Sequence, residues 1–464
     1  MQINTHPIRT EIKNTLAISV PLVSSQIVYA SSGFLGTAMV ARLGEDALAA
    51  SVLVSMIWMC LSVLFFGILN SISVLISHEY GAGNHEGISK VMGQAFILGL
   101  IVTLMLMGAM LFMPFLVDHS KQPAHVLELS RIYTYSLIWQ VPGLVLTVIL
   151  EQFLAGVNRA KMVLRISLMI VPIEIPLIYM LVFGKFGFPE LGIAGVGYGF
   201  AITYTLSSVL LTWYLCKAKQ YQFFGLFSRI TTFHGTYFKE LLKIGWPMGL
   251  MHVIEIFAFT IMTFWVSHFG TTMLAAHQLV LQFLWFAITL VFAMSQAVTV
   301  RVGYSVGEGN IQAVHYASYV GMAINSVCVL AVALAFMFAP AFFLSLDLNV
   351  TDPANAQLVH DATTLLYISS VFLICDNFRI ISFGALRGLK DTRFPMYAAF
   401  VAFWIVGLST SYYFGFILKG EGAGIWWGMT LGIGIGAIMV LVRLHQRLKT
   451  VDIEMIKNIG QQHG

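Results

Sequence analysis

Charge is scarce in this chain. Asp, Glu, Lys and Arg make up 10% of 464 residues, where soluble domains carry about a quarter. The hydrophobic share is 58% and the mean hydropathy +0.84. A soluble fold could not hide so much apolar surface, whereas a bilayer is itself an apolar solvent. Cysteine is sparse as well. Cys60, Cys216, Cys328 and Cys375 fall within or at the edge of apolar stretches; they read as small core residues, not as a disulfide framework. No CxxC, HExxH, Walker-type or GxGxxG signature occurs, so zinc, nucleotide and dinucleotide sites are not suggested and no cofactor is expected. The basic residues gather in a few polar joints, which argues for membrane topology, with lipid as the surroundings, and against nucleic-acid binding.

What the chain does have is apolar stretches of spanning length. They run over 15–41, 48–77, 91–117, 130–157, 161–184 and 192–216, then 240–267, 274–304, 313–345, 362–387, 395–418 and 423–446. Each can cross about 30 Å of hydrocarbon as a helix. The first follows a polar lead carrying Arg9 and Lys13, lacks a cleavage site, and reads as an uncleaved helix. The fold class is an all-α polytopic membrane protein with twelve transmembrane helices. With the N-terminus inside, nineteen Lys and Arg fall in inner joints, while Arg42, Lys121, Arg131, Lys185 and Lys419 are outer. That bias places both termini in the cytoplasm.

The sequence also repeats itself. Ile18-Ser-Val-Pro21 returns as Ile244-Gly-Trp-Pro247, Gly44 with Leu48-Ala-Ala50 as Gly270 with Leu274-Ala-Ala276, and Gly81-Ala-Gly-Asn84 as Gly307-Glu-Gly-Asn310. Each pair is 226 residues apart, and Ala194-Gly-Val196 with Gly199 returns as Ala423-Gly-Ile425 with Gly428 at 229. Six helices bring the chain back to its starting side, so the halves are parallel repeats forming two pseudo-symmetric six-helix bundles. Residues 1–217 make the first lobe, 218–238 a cytoplasmic linker, and 239–464 the second lobe with a cytoplasmic tail. Two such lobes suit alternating access, the architecture of a transporter.

Ionisable groups deep in a span are costly and are functional candidates. Glu151, Glu174, Glu255 and Asp376 lie inside expected helices, the last three near the membrane midplane. There a carboxylate can change state by binding a proton or a metal cation. The acids are not duplicated: at the 226 spacing Glu255 answers to Tyr29, and aligning Gly156 with Gly388 pairs Asp376 with Leu144. Residues that only build the fold recur in both halves, so unrepeated acids point to specialised chemistry. Structural readings stand beside this one. Arg379 follows Asp376 by one turn and can neutralise it. His252 stands in the same relation to Glu255, and Glu174 lies between Pro172 and Pro176, where broken backbone bonding leaves groups to satisfy. Glu151 suits a partner for inner-face basic residues. Pro21 and Pro247 occupy equivalent places in the first helix of each repeat, where a kink is either a hinge or plain architecture.

Local motifs narrow the class. Ala275-Ala-His-Gln278, Arg301-Val-Gly303, Gly307-Glu-Gly309, Ala385-Leu-Arg-Gly-Leu-Lys-Asp391, Lys185-Phe-Gly187 and Pro189-Glu-Leu-Gly192 resemble the multidrug and toxic compound extrusion (MATE) family, NorM-like branch. The resemblance runs from about Ile18 to Arg447. It implies a V-shaped pair of six-helix bundles in the bacterial inner or plasma membrane, exporting small cationic aromatic drugs in exchange for inward H⁺ or Na⁺. It implies no obligate protein partner. Glu255 matches the family's seventh-helix acid and Asp376 its tenth-helix acid, the pair that binds the coupling cation, a metal site if that cation is Na⁺. Pro21 falls where some members have a proline linked to bending.

The chain departs from the family in four places. Where many members carry a first-helix D-T-x-M, it reads Gly36-Thr-Ala-Met39. The fifth helix has Glu174 where asparagine usually precedes the Ile-Pro pair, which makes Glu174 a candidate N-lobe proton or substrate site. Phe372 stands where some Na⁺-coupled members have tyrosine, and Arg379 adds a cation beside Asp376. These two lean the expectation toward protons, and His252 joins them around the acid pair. A lipid-linked saccharide flippase shares the helical architecture but calls for a strongly basic cavity, and Arg379 is the only deep basic residue. A membrane-embedded enzyme calls for clustered ligands or a nucleophile–base set within spans, of which there is none. A polytopic receptor would not need a parallel duplication.

Overall fold

The computed structural model describes residues 7–118 and 122–462; Lys121, assigned above to the outer set, lies outside them. Regular structure among the described residues is entirely helical. Spans α1 to α3 are Pro7–Ala41, Glu45–Gly81 and His85–Asp118. Span α4 is a bent pair, Ala124–Ile138 followed by Gln140–Gly156. Spans α5 and α6 are Ala160–Phe183 and Ile193–Lys217. The second half supplies α7 (Gly235–Val266), α8 (Thr271–Gly307), α9 (Ile311–Phe338), α10 (Ala356–Gly388), α11 (Arg393–Ile417) and α12 (Glu421–Gln462). Counting the bent pair as one span, the described helices reach the expected twelve. The 44° bend in α4 has a local cause. Pro142 has no N–H to offer the carbonyl four residues back at Ile138, so the first segment stops there.

The sequence repeat is a repeat of turn chemistry. Gly44 and Gly270 precede α2 and α8 with φ of 113° and 103°, a backbone that only glycine adopts without strain. The Gly-x-Gly-Asn echo ends one helix and starts the next. Gly83 and Gly309 turn the chain at φ of 66° and 70°. Asn84 then accepts the Gly87 N–H at 2.9 Å, and Asn310 accepts the Ala313 N–H at 3.0 Å, capping free N–H groups of α3 and α9.

The residues fall into two compact units. One is Val20–Gly249. Its segment after α6, with the short helix Lys219–Gln222, is tied back onto α3: Ser89 donates to the Gly225 carbonyl at 2.8 Å and Gln94 to that of Thr232 at 2.8 Å. The other unit joins the chain through Ser19 to everything from Leu250 onward. Phe336, Phe372, Phe383, Phe403 and Trp426 are among its largest buried side chains. The boundaries fall inside α1 and α7, beside Pro21 and Pro247, the prolines within those helices.

Cysteine placement corrects the expectation of small core residues. All four are free, but Cys60, Cys216 and Cys328 are exposed and Cys375 is half-buried. The outer surface of a membrane helix is as apolar as its core, so hydropathy cannot tell the two apart. The same holds for the exposed Phe34, Phe112 and Phe264.

Candidate functional site

Glu255, Asp376 and Arg379 meet in the unit that begins at Leu250. Asp376 and Arg379 sit one turn apart on α10 and so share a face; α7 brings Glu255 from 124 residues away. Arg379 Nε donates to Asp376 Oδ1 at 2.6 Å, and its Nη2 donates to Glu255 Oε1 at 3.0 Å. All three are buried, at 1–2% exposure. Two ionised carboxylates around one guanidinium leave one net negative charge. The second oxygens, Glu255 Oε2 and Asp376 Oδ2, are buried with no hydrogen-bond partner. Unpaired charge in so dry a place is costly, and a bound cation relieves it.

The residues expected around the pair are present, with varied contacts. His252 Nδ1 lies 3.8 Å from Glu255 Oε2, too far for a hydrogen bond. Phe372 is buried with its ring tilted against Phe259 and edge-on to Trp426. The structure adds a residue that sequence reasoning does not find. Phe403 of α11 places its ring under the Arg379 guanidinium, 5.0 Å from centroid to Cζ. A single Phe in a phenylalanine-rich chain carries no sequence signal of that role.

The Val20–Gly249 unit holds its acids differently. Glu174 of α5 is buried at 4% exposure. Ser32 of α1 donates to its Oε1, and Thr203 of α6 donates to its Oε2 at 2.9 Å. Its hydrogen-bond partners are thus hydroxyls and not a cation. Glu151 accepts from the Tyr29 hydroxyl at 2.7 Å. In place of the expected basic partner it has a phenol, from the position that answers to Glu255 in the repeat. A cavity of about 340 Å³ opens beside these groups, lined by Trp58, Phe66, Tyr133, Phe200 and Tyr204 among others. Gly33 and Gly36 of α1 border it, and Gln140, Ser51, Ser55 and Thr37 give it polar points. Glu174 is not in its lining, though Ser32 and Thr203 are chain neighbours of the lining residues Gly33 and Tyr204. Pro21 belongs to this unit, close to its boundary in α1.

The MatE family profile matches residues 21–180 and 247–413, one stretch in each half of the repeat. A probable multidrug resistance protein NorM of Burkholderia mallei is 31% identical, covering 95% of this chain and 94% of its own length. The multidrug resistance protein NorM of Burkholderia vietnamiensis is 30% identical, over 95% and 94%. Among solved structures, a crystal structure of MATE in the bent conformation superposes with a TM-score of 0.87 at 18% identity, covering 98% of this chain and 100% of the other. That last likeness speaks for the fold, and the sequence matches speak for descent. By the family profile and these relatives, the chain belongs to the MatE family, the multidrug and toxic compound extrusion transporters, in its NorM-like branch.

Proposed function

We propose that this transporter exports cationic, aromatic drug-like compounds in exchange for inward protons, from the bacterial inner or plasma membrane with both termini cytoplasmic. The observation that carries the reading is the cluster of two buried carboxylates around one guanidinium, with two oxygens left over. One proton on either free oxygen brings the cluster to neutrality. Na⁺ is the poorer candidate. A metal ion must be wrapped by several oxygens, whereas here each acid already gives one oxygen to Arg379. The fixed guanidinium also repels a second cation at contact distance.

The aromatic cavity of the Val20–Gly249 unit suits a flat cation. Ring faces attract positive charge, and the volume falls in the range of small-molecule sites. Glu174, the unit's acid held by hydroxyls, is its proton or drug-cation partner. Pro21 is the hinge of α1. Drug and proton stabilise opposite arrangements of the transporter, so each lowers the other's affinity and downhill proton entry expels drug.

The test is drug uptake into everted vesicles with proton and Na⁺ gradients imposed separately. Wild-type uptake should follow the pH gradient and survive removal of Na⁺. Glu255→Gln and Asp376→Asn should abolish it at normal abundance in the membrane. Strict Na⁺ dependence at a fixed proton gradient, or normal transport by both variants, would overturn the reading.

A further inference from the structure

Span α11 is not wound as a single α-helix. Val401–Leu408 and Tyr413–Ile417 are π-helical, with the α-helical turn Ser409–Tyr412 between them. A π turn carries an extra residue per turn, is usually a short insertion, and is often found at functional sites. Here two consecutive residues of the first π run reach the carboxylate cluster or the backbone next to it. Phe403, with no exposed surface, lies under the Arg379 guanidinium at 5.0 Å. Trp404 sends its indole N–H to the carbonyl of Ile254 at 3.0 Å, the residue before Glu255. One ring thus meets the cation, and the next meets the backbone that carries one of the acids.

The far side of the same run is braced. A Cβ at Gly432 of α12 would fall 2.3 Å from the Ala402 carbonyl oxygen and 2.5 Å from the Gly407 Cα. At Gly436 it would fall 2.6 Å from the Ala402 Cβ and 3.7 Å from the Arg379 Cδ. Backbone presses on backbone, and a shift in the π run has little room to be absorbed by side chains.

We infer that Phe403 and Trp404 are positioning residues of the carboxylate cluster, through which the π run of α11 sets how Arg379 is shared between Glu255 and Asp376. The inference rests on the proton-coupling reading above. When a proton neutralises one acid, the guanidinium leans toward the other, and the ring beneath it resists or permits that movement. The indole bond holds the α7 backbone, so that the guanidinium moves and Glu255 does not. Among the described residues, the titratable neighbours of the cluster are His252 from α7, with Nδ1 3.8 Å from Glu255 Oε2, and Cys375, which precedes Asp376 in α10. From α11 and α12 it meets Phe403 and the Gly436 backbone.

The test is the pH profile of drug efflux by the full chain reconstituted in vesicles, with substrate KM and turnover measured separately. Phe403→Leu keeps an apolar side chain of somewhat smaller volume and removes the ring face. It should move the pH midpoint by about 1.5 units, the size of a desolvated cation–π contact, with KM unchanged. Phe403→Tyr restores the face and should return the midpoint. Trp404→Phe removes the N–H donor to Ile254 while keeping an aromatic ring and should also shift it, and it decides the matter if Phe403→Leu does not fold. An unshifted midpoint in Phe403→Leu, or in Trp404→Phe where that variant decides, overturns the inference. Glu255→Gln, run alongside, tells the two failures apart. If it keeps the wild-type pH profile, the coupling reading falls and this inference with it. If it loses transport while the ring variants keep the profile, only the inference falls.

Discussion

Arg301 closes a two-point ion pair on Glu11, 290 residues earlier in the chain, with Nε to Oε1 at 2.8 Å and Nη2 to Oε2 at 2.6 Å. Both side chains are nearly buried. The pair sits within the unit that joins the first residues to the chain from Leu250 onward, and it anchors the opening of α1 there. Removing one partner leaves a buried charge alone, at a cost of about 3–5 kcal/mol. Arg301→Met should therefore lower the thermal midpoint in detergent markedly, while the Glu11→Gln, Arg301→Met double variant loses less. An Arg301→Met midpoint equal to wild type would show that the pair contributes nothing to stability.

Arg379→Gln should change the ion. With the guanidinium gone, Glu255 and Asp376 keep all four oxygens free for a cation, and the amide adds another. Na⁺-stimulated efflux should appear in vesicles where the wild type shows none. No response to Na⁺, with transport still driven by protons, would mean that Arg379 does not set ion choice.

Glu174→Gln should weaken efflux or move its pH dependence. The amide keeps the shape and an acceptor for Ser32 or Thr203, but it cannot hold a negative charge. Transport and pH profile both matching wild type would leave Glu174 as a hydrogen-bonded structural residue of α5.

Gly270→Ala tests the repeated turn. At φ 103° a side chain should cost about 1–3 kcal/mol and lower the thermal midpoint by several degrees. Gly108→Ala is the control, because a Cβ there meets nothing within 4 Å inside helical α3, and it should be neutral or mildly stabilising. Equal midpoints for the two would argue that the turn carries no strain.

Much of the molecule is legible in its sequence. Mean hydropathy, the twelve apolar stretches and the echoes at Gly44/Gly270 and Asn84/Asn310 are local properties. A span needs length and apolarity in one stretch, and a turn at φ above 100° needs glycine at that residue. Glu255 and Asp376 are also legible, since an acid inside an apolar run stands out in one sequence. Glu11 is not, because it lies in the polar lead just ahead of the first apolar stretch, where a charge looks ordinary. Tyr29 stands out only as the repeat counterpart of Glu255, with nothing to reveal its bond to Glu151.

A twelve-span, duplicated transporter with unrepeated acids in its helices can be read from the residues alone, because hydropathy, turn chemistry and family motifs are carried by residues close in the chain. Long-range packing settled the rest: Arg379 serves both acids, Phe403 lies beneath it, α11 takes π turns around Phe403, and Arg301 holds Glu11. Those outcomes depend on side chains 124 and 290 residues apart meeting in a dry interior. There a shared charge is settled by which helices pack together and at what depth, and no short-range pattern records that.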